Sequence, residues 1–327
     1  MQSYQQALAE ASRFIKANDH FLVISHVNPD GDATGSVLAV AHLLRHLGKS
    51  FTLVNEGPSP QRFSFLKGFD GIINLAEQPV NHRFRYVIAV DVADEERFGD
   101  IGHLFAENVE LLNIDHHPTN TRFGQVNVIY PEAASTTEIL YDLCCHHFRQ
   151  ALNQDLAEAL YTGLLTDTGG FRYSNTTHKV MEMAADLLKF NLEPAKIAQH
   201  SLETITMGHV RILKIALDTL TFAYEQQVAL MAVSLDAIKQ AQAERDDIDG
   251  LVGYPSKIAG VKVGVLLKEM KEGEVKVSLR SKDTVNVAEI AQAFGGGGHA
   301  KAAGFTYRGT LDEAKKALLA KLEEVFH

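Results

Sequence analysis

Along residues 1–190, short apolar runs alternate with amphipathic stretches, a pattern that predicts βα units on a largely parallel sheet. The runs fall at 21–25, 51–54, 86–90, 110–114 and 126–129. Between the first two, Val37, Val40, Ala41 and Leu44 recur at three- and four-residue spacing and Gly48 supplies a C-terminal stop, so 33–47 reads as a helix. Ser135-Thr-Thr-Glu138 has the spacing of a capping box and opens a second helix. Two more are expected over 155–165 and 177–190.

From 194 to 217 the pattern stays helical with no strand between. It then changes character: 219–223 with 228–233 reads as one hairpin, and 261–269 with 274–279 as another across Lys271-Glu272-Gly273. A helix at 287–294, four glycines at 295–298, a strand near 304–307 and a helix at 311–325 follow. The expected architecture is α/β. An N-terminal domain (1–190) has a mainly parallel sheet flanked by helices, a helical connector (191–212) follows, and a smaller mixed α/β domain (213–327) closes the chain. No internal repeat is evident.

The length, 327 residues, suffices for about two cores without disulfide or metal staples. Cys144 and Cys145 are chain neighbours, which rules out an ordinary structural bridge and fits a reducing cytosol. The N-terminus lacks the basic-then-apolar order of a signal peptide, and no apolar run reaches membrane-spanning length, so a cytoplasmic protein is expected. The formal charge of −10 argues against coating long duplex DNA or an anionic membrane. It is unevenly divided: residues 1–190 carry 23 acidic against 14 basic side chains, whereas 257–327 carry 9 against 12.

Candidate chemistry gathers at strand ends. The first strand runs into His26-Val-Asn-Pro-Asp30-Gly-Asp32, the third ends in Asp91, and the fourth ends in Asp115-His116-His117. Open α/β sheets bind ligands at this carboxyl edge. Taken alone, the first loop could merely cap the next helix; three strands ending in Asp or His make that reading insufficient. Asp167 follows the 155–165 helix, where a solvated loop aspartate is the plain alternative. Carboxylates and imidazoles converging without cations would repel one another or protonate at large cost. The cluster therefore calls for metal, and a donor set without thiolate suits Mn²⁺ or Mg²⁺ rather than structural zinc. Two ions about 3.5–4 Å apart form a recurring device for phosphoester hydrolysis.

His26-x-x-x-Asp30-x-Asp32, Asp91, Asp115-His116-His117 and Asp167 resemble the four ordered motifs of the DHH phosphoesterase superfamily. Gly295-Gly-Gly-Gly-His299 resembles the signature of its associated C-terminal domain. The two-domain length is similar to the bacterial oligoribonucleases that also act as phosphatases on 3′-phosphoadenosine 5′-phosphate (pAp), the nanoRNase A type. The resemblance implies two divalent ions, Mn²⁺ first with Mg²⁺ or Co²⁺ as alternatives. His26, Asp30 and Asp91 would hold one; Asp32, Asp91, His116 and Asp167 would hold the other. It also implies that His117 faces the substrate phosphate, that Asp115 orients a neighbouring histidine, and that the second domain grips the nucleotide.

In that second domain Gly296, Gly297, Gly298 and His299 could bring backbone N–H groups to an anion, aided by a helix opening nearby, or could form a flexible linker. Arg280 can hold a phosphate bidentately, with Ser278 and Ser281 beside it; an edge ion pair is the alternative. The expected partners are short single-stranded RNA and small phosphorylated nucleosides, with no long duplex DNA and no membrane; a homodimer is left open. The competing activities are cleavage of linear products of cyclic dinucleotides (pApA), RecJ-like exonuclease action on longer strands, and pyrophosphatase action. The non-enzyme alternative is a nucleotide-sensing module. The remaining histidines read as structure: His146 and His147 at a helix end, His42 and His46 on a solvated helix face, and His20, His82, His103, His178, His200, His209 and His327 without motif context. Phe63 and Phe65 suit either a core or base stacking.

Overall fold

The computed structural model describes residues 3–244, 247–248, 250–282 and 285–326; His327 lies outside them. The chain divides after Thr204 into two compact units. The first contains α1 (Tyr4–Ala17), β1 (Phe21–Ile24), α2 (Gly31–His46), β2 (Phe51–Asn55), β3 (Ile72–Asn74), β4 (Phe84–Val90), β5 (Phe105–Asp115), β6 (Val126–Ile129), α3 (Thr136–His147), α4 (Gln154–Asp167), α5 (His178–Leu187) and α6 (Pro194–Ala198).

Its sheet has the order β3-β2-β1-β4-β5-β6, and every neighbouring pair is parallel. The order reverses between β1 and β4, and a crevice opens beyond the strand ends at such a point. Both faces are covered. Phe21, Val23, Ile88 and Val90 point into the core built with α1 to α5. Leu22, Ile24, Val87 and Ala89 meet Phe98, Ile101 and Leu104 from a 3₁₀ segment. Double coverage is why these strands read as continuous apolar runs rather than alternating ones.

α1 has no counterpart among the expected elements. Ser3 and Gln6 cap it reciprocally, and Ala7, Leu8, Ala11, Phe14 and Ile15 form its buried stripe. α2 and α4 approach closely through glycines: a Cβ at Gly35 would lie 2.6 Å from the Ala159 carbonyl oxygen, and one at Gly163 2.7 Å from Asp32 Oδ1. Any larger residue at Gly163 would push directly on Asp32.

The second unit contains α7 (Met207–Asp218), β7 (Thr221–Ala223), β8 (Val228–Val233), α8 (Leu235–Ala241), α9 (Gly253–Lys257), β9 (Val263–Lys271), β10 (Glu274–Ser281), α10 (Val287–Gln292), β11 (Gly297–His299), β12 (Ala302–Arg308) and α11 (Leu311–Phe326). Its mixed sheet runs β11-β12-β10-β9-β8-β7, with β8 and β9 parallel and the other pairs antiparallel. Among the described residues no helix is long and apolar enough to cross a membrane.

Three local expectations are corrected. The glycine run does not lead into a helix: Gly295 and Gly296 close the C-terminal end of α10, and Gly297 and Gly298 pair along β12 in the edge strand β11. A Cβ at Gly296 would lie 2.3 Å from the Gly304 carbonyl oxygen, so backbone-to-backbone packing demands glycine there. Asp167 closes α4 rather than following it in a loop. His42 is buried, not solvated, with Nε2 3.0 Å from the Lys67 carbonyl oxygen, because α2 is enclosed along nearly its whole length. Phe63 is fully buried, and Phe65 stacks on His200 at 5.0 Å between ring centroids.

Candidate metal centre

The ends of β1, β4 and β5 and the last turn of α4 bring seven of the eight Asp and His residues of the four motifs together at one edge of the first sheet, with Asp115, the eighth, beside them. Asp30 is the N-cap of α2, where Oδ1 accepts the backbone N–H groups of Asp32 and Ala33, both at 3.0 Å. Helix capping and a place in the cluster are thus combined in one residue. Asp32 sits in the first turn of α2 and is buried. Asp91 follows β4 in a left-handed conformation (φ 59°), with its N–H bonded to the Ile114 carbonyl at 3.0 Å. That backbone turn aims its carboxylate across the strand ends instead of along the sheet.

Three overlapping sets of donor atoms lie within 4.8 Å of one another: His26 with Asp30 and Asp91; Asp32 with His116 and Asp167; and Asp91 with His116 and His117. Within them His26 Nε2 is 3.5 Å and His116 Nε2 3.7 Å from Asp91, and His116 Nε2 is 3.3 Å from Asp167. His117 Nδ1 is 2.7 Å from Asp115 Oδ1 and 3.7 Å from Asp91. Asp91 is therefore the central carboxylate, in reach of three imidazoles.

Sequence reasoning missed the residues that hold this arrangement. The N-terminus of α3 points at Asp32, whose carboxylate accepts the N–H of Thr136 at 2.6 Å, the N–H of Thr137 at 3.0 Å and the Thr137 hydroxyl at 2.8 Å. The Thr136 hydroxyl donates to Asp91 at 3.0 Å. Ser135 caps α3 as its spacing suggests, but the Glu138 carboxylate reaches the N–H of Ala134 and not that of Ser135. On the other side, Asn120 Nδ2 donates to Asp115 Oδ2 at 2.7 Å and to Asn113 Oδ1 at 2.8 Å, while Asn113 donates to the Val92 carbonyl.

Electrostatically the cluster is under tension. Burial, then Asp91 and Asp30, push Asp32 well above the usual carboxylate range despite the α3 N–H groups. Burial, then Asp32, Asp30 and Asp91, do the same to Asp167. Burial alone would raise Asp91 too, yet His26, His116 and His117 hold it at about 2. Burial disfavours a charged His117, but Asp115 outweighs it and lifts the imidazole to about 9. Oxygen and imidazole donors converging around carboxylates forced towards protonation fit a divalent cation, which would relieve the repulsion.

A pH dependence follows for the metal-free protein. Raised carboxylates hold protons in the folded state that the unfolded chain releases near 3.8, so the contribution of Asp32 and Asp167 falls as pH rises above about 4. The raised His117 contributes fully below 6.5 and loses that contribution as pH climbs through about 9. The depressed Asp91 acts oppositely, its contribution vanishing only between 3.8 and about 2. Thermal melts in chelator should therefore show declining stability from pH 5 to 9; a rise across that interval would contradict the site's electrostatics.

In the second unit Ser278 and Arg280 lie on one face of β10, while the Ser281 hydroxyl donates to the carbonyls of Val285 and Ala300 and ties the strand end to its surroundings. Gly297, Gly298 and His299 are exposed along β11, beside β12.

A doubly wound parallel sheet with a carboxylate–histidine cluster astride its switch point defines an α/β protein with a candidate multi-ligand metal centre. The chain belongs to the DHH family: residues 20–164 match the DHH family, N-terminal domain, and residues 225–327 match the DHHA1 domain. It is 34% identical over 305 residues to the bifunctional oligoribonuclease and PAP phosphatase NrnA of Thermus thermophilus, which spans 92% of this chain and 89% of the relative. It is 28% identical over 316 residues to the protein of the same name from Bacillus subtilis, spanning 96% and 97%. The crystal structure of an exopolyphosphatase-related protein from Bacteroides fragilis shares the fold, with a TM-score of 0.90 at 24% identity and coverage of 98% of this chain and 97% of that one.

Proposed function

We propose that this protein is a metal-dependent phosphoesterase that hydrolyses short oligoribonucleotides to mononucleotides and pAp to AMP. The convergence of Asp30, Asp32, Asp91 and Asp167 with His26, His116 and His117 at one sheet edge carries the reading. The names of the relatives from Thermus thermophilus and Bacillus subtilis support the substrate class. In this reading His26, Asp30 and Asp91 hold one divalent ion, and Asp32, Asp91, His116 and Asp167 hold a second, Mn²⁺ foremost. When bound, the ions supply charge neutralisation at the phosphoryl oxygens and activation of water.

The chain's own groups do the rest. Thr136 and Thr137 fix the Asp32 carboxylate from the start of α3, so it presents one orientation to the site. Asp115 holds the His117 ring. His117 gives a proton to the departing oxygen as the water oxygen bonds to phosphorus and the P–O ester bond breaks, the proton of the water passing to solvent. Arg280, with Ser278 on the same strand face and His299, binds a second phosphate of the nucleotide.

The test is turnover of pAp, diadenylate, pApA, a long single strand and pyrophosphate with Mn²⁺ and then with EDTA. Activity concentrated on pAp and the dinucleotides, and lost in EDTA, is expected; preference for the long strand or for pyrophosphate would reject the assignment. Mn²⁺ should also recover the stability that the metal-free protein loses above pH 5. Arg280→Ala should raise KM for dinucleotides about tenfold with kcat retained, and an unchanged KM would remove Arg280 from the substrate.

A further inference from the structure

The donor set made of Asp32, His116 and Asp167 is held from behind by one short stretch of chain. Residues 133–137 lead into α3. Besides the N–H groups of Thr136 and Thr137 that fix Asp32, the Ala133 carbonyl meets His116 Nδ1 at 3.3 Å. That contact leaves His116 Nε2 for the cluster, where it lies 3.3 Å from Asp167. The stretch is itself clamped at Ala134. Its N–H goes to the Glu138 carboxylate at 2.8 Å, and Glu138 is paired with Lys179 at 2.9 Å. Its carbonyl accepts Asn175 Nδ2 at 3.1 Å. All of these residues belong to the first unit.

Asn175 reaches this point because the chain turns back after α4. Gly169, Gly170 and Phe171 are left-handed in succession (φ 58°, 70° and 61°), a path that the two glycines open. Thr168 closes the turn: its hydroxyl accepts the N–H of Phe171, and its carbonyl those of Arg172 and Tyr173. The Nδ2 that holds Ala134 then also donates to the Asp167 carbonyl at 3.1 Å. One amide nitrogen thereby ties the end of α4, which carries Asp167, to the stretch that orients Asp32 and His116. Its two hydrogens serve both carbonyls, which a leucine of similar size cannot do. The other donor set is anchored elsewhere. His26 Nδ1 meets the Val27 carbonyl at 2.8 Å, Asp30 caps α2, and the Asp91 N–H bonds to Ile114.

We propose that Asn175 is a positioning residue for one of the two metal sites, clasping the Asp32–His116–Asp167 donor set while leaving the set of His26, Asp30 and Asp91 in place. The inference rests on the two-ion reading above and deepens it. Groups that hold metal ligands from behind set their orientation, and losing one costs metal affinity about tenfold to a hundredfold. Asn175 is part-buried in a loop, so replacing it leaves the apolar cores intact.

The experiment titrates Mn²⁺ calorimetrically into the metal-stripped full chain. The proteins compared are the wild type, Asn175→Ala, Asn175→Leu, Asp167→Asn and the variant combining Asn175→Ala with Asp167→Asn. In both single Asn175 variants one Mn²⁺ should bind about tenfold to a hundredfold more weakly, and the other within about twofold of wild type. The Mn²⁺ concentration for half-maximal pAp turnover should move by the same factor. In the Asp167→Asn background, Asn175→Ala should add far less than it does alone, because both changes act on one site. Equal weakening of both ions, as a general loosening of the fold would give, would overturn the clasp while leaving the hydrolase reading in place. Unchanged binding, or full additivity with Asp167→Asn, would do the same. A wild-type protein that binds fewer than two ions would overturn the two-ion reading and the clasp with it.

Discussion

Asp91→Asn is expected to lower turnover of pAp and of dinucleotides by about three orders of magnitude or more, the scale of several kcal/mol of metal-centred stabilisation. Asparagine keeps the size of the side chain and tolerates the left-handed backbone at this position (φ 59°), and the N–H bond to Ile114 is untouched. What changes is charge. Among the described residues Asp91 is the one carboxylate within 4 Å of His26, His116 and His117 together, and it belongs to two of the three donor sets. A neutral amide cannot serve as an anion shared between two cations, so both proposed sites weaken at once. Melting temperature, bound metal and kcat measured on the same preparation separate the outcomes. A folded variant with less metal and lost turnover fits the assignment; wild-type turnover would reject Asp91 as the bridge.

The reach of sequence reasoning at this site has a physical boundary. Asp91 and Asp115-His116-His117 were legible because each directly follows an apolar run, and parallel strands put their carboxyl ends on one edge whatever the details of packing. The groups that orient them were not. Thr136 and Thr137 meet Asp32 across more than a hundred residues, and nothing local distinguishes them from ordinary first-turn residues. The Asn113–Asn120–Asp115 chain is likewise a product of how the loop after β5 folds back. Periodicity failed for His42 because α2 is buried along both flanks, so no polar face exists for a hydrophobic stripe to oppose. The glycine run failed differently: glycine's permissiveness is compatible with an anion-binding loop and with a tightly packed edge strand alike. The pairing of Gly297 and Gly298 with Gly304 and Ala303 of β12 is what makes the strand.

The same chain of asparagines bears on proton delivery. Asp115 is fully buried; one oxygen is held by Asn120 at 2.7 Å and the other meets His117 Nδ1 at 2.7 Å. This leaves His117 Nε2 as the ring atom able to hand a proton to a leaving oxygen; in the metal-free protein the Asp115 contact outweighs burial and lifts the imidazole to about 9. His117→Ala should therefore cut kcat for pAp by about 10²–10⁴-fold, the range for loss of a positioned general acid. Metal content should change far less, since the other six donors remain. The mechanism is isolated by the leaving group: a ribose alkoxide needs a proton as it departs, whereas a nitrophenolate departs unaided. On a nitrophenyl phosphoester the variant should recover most of the lost rate, and adding imidazole should raise its rate on pAp. Equal losses on both substrates, with metal content preserved, would place His117 in phosphate binding rather than in proton transfer.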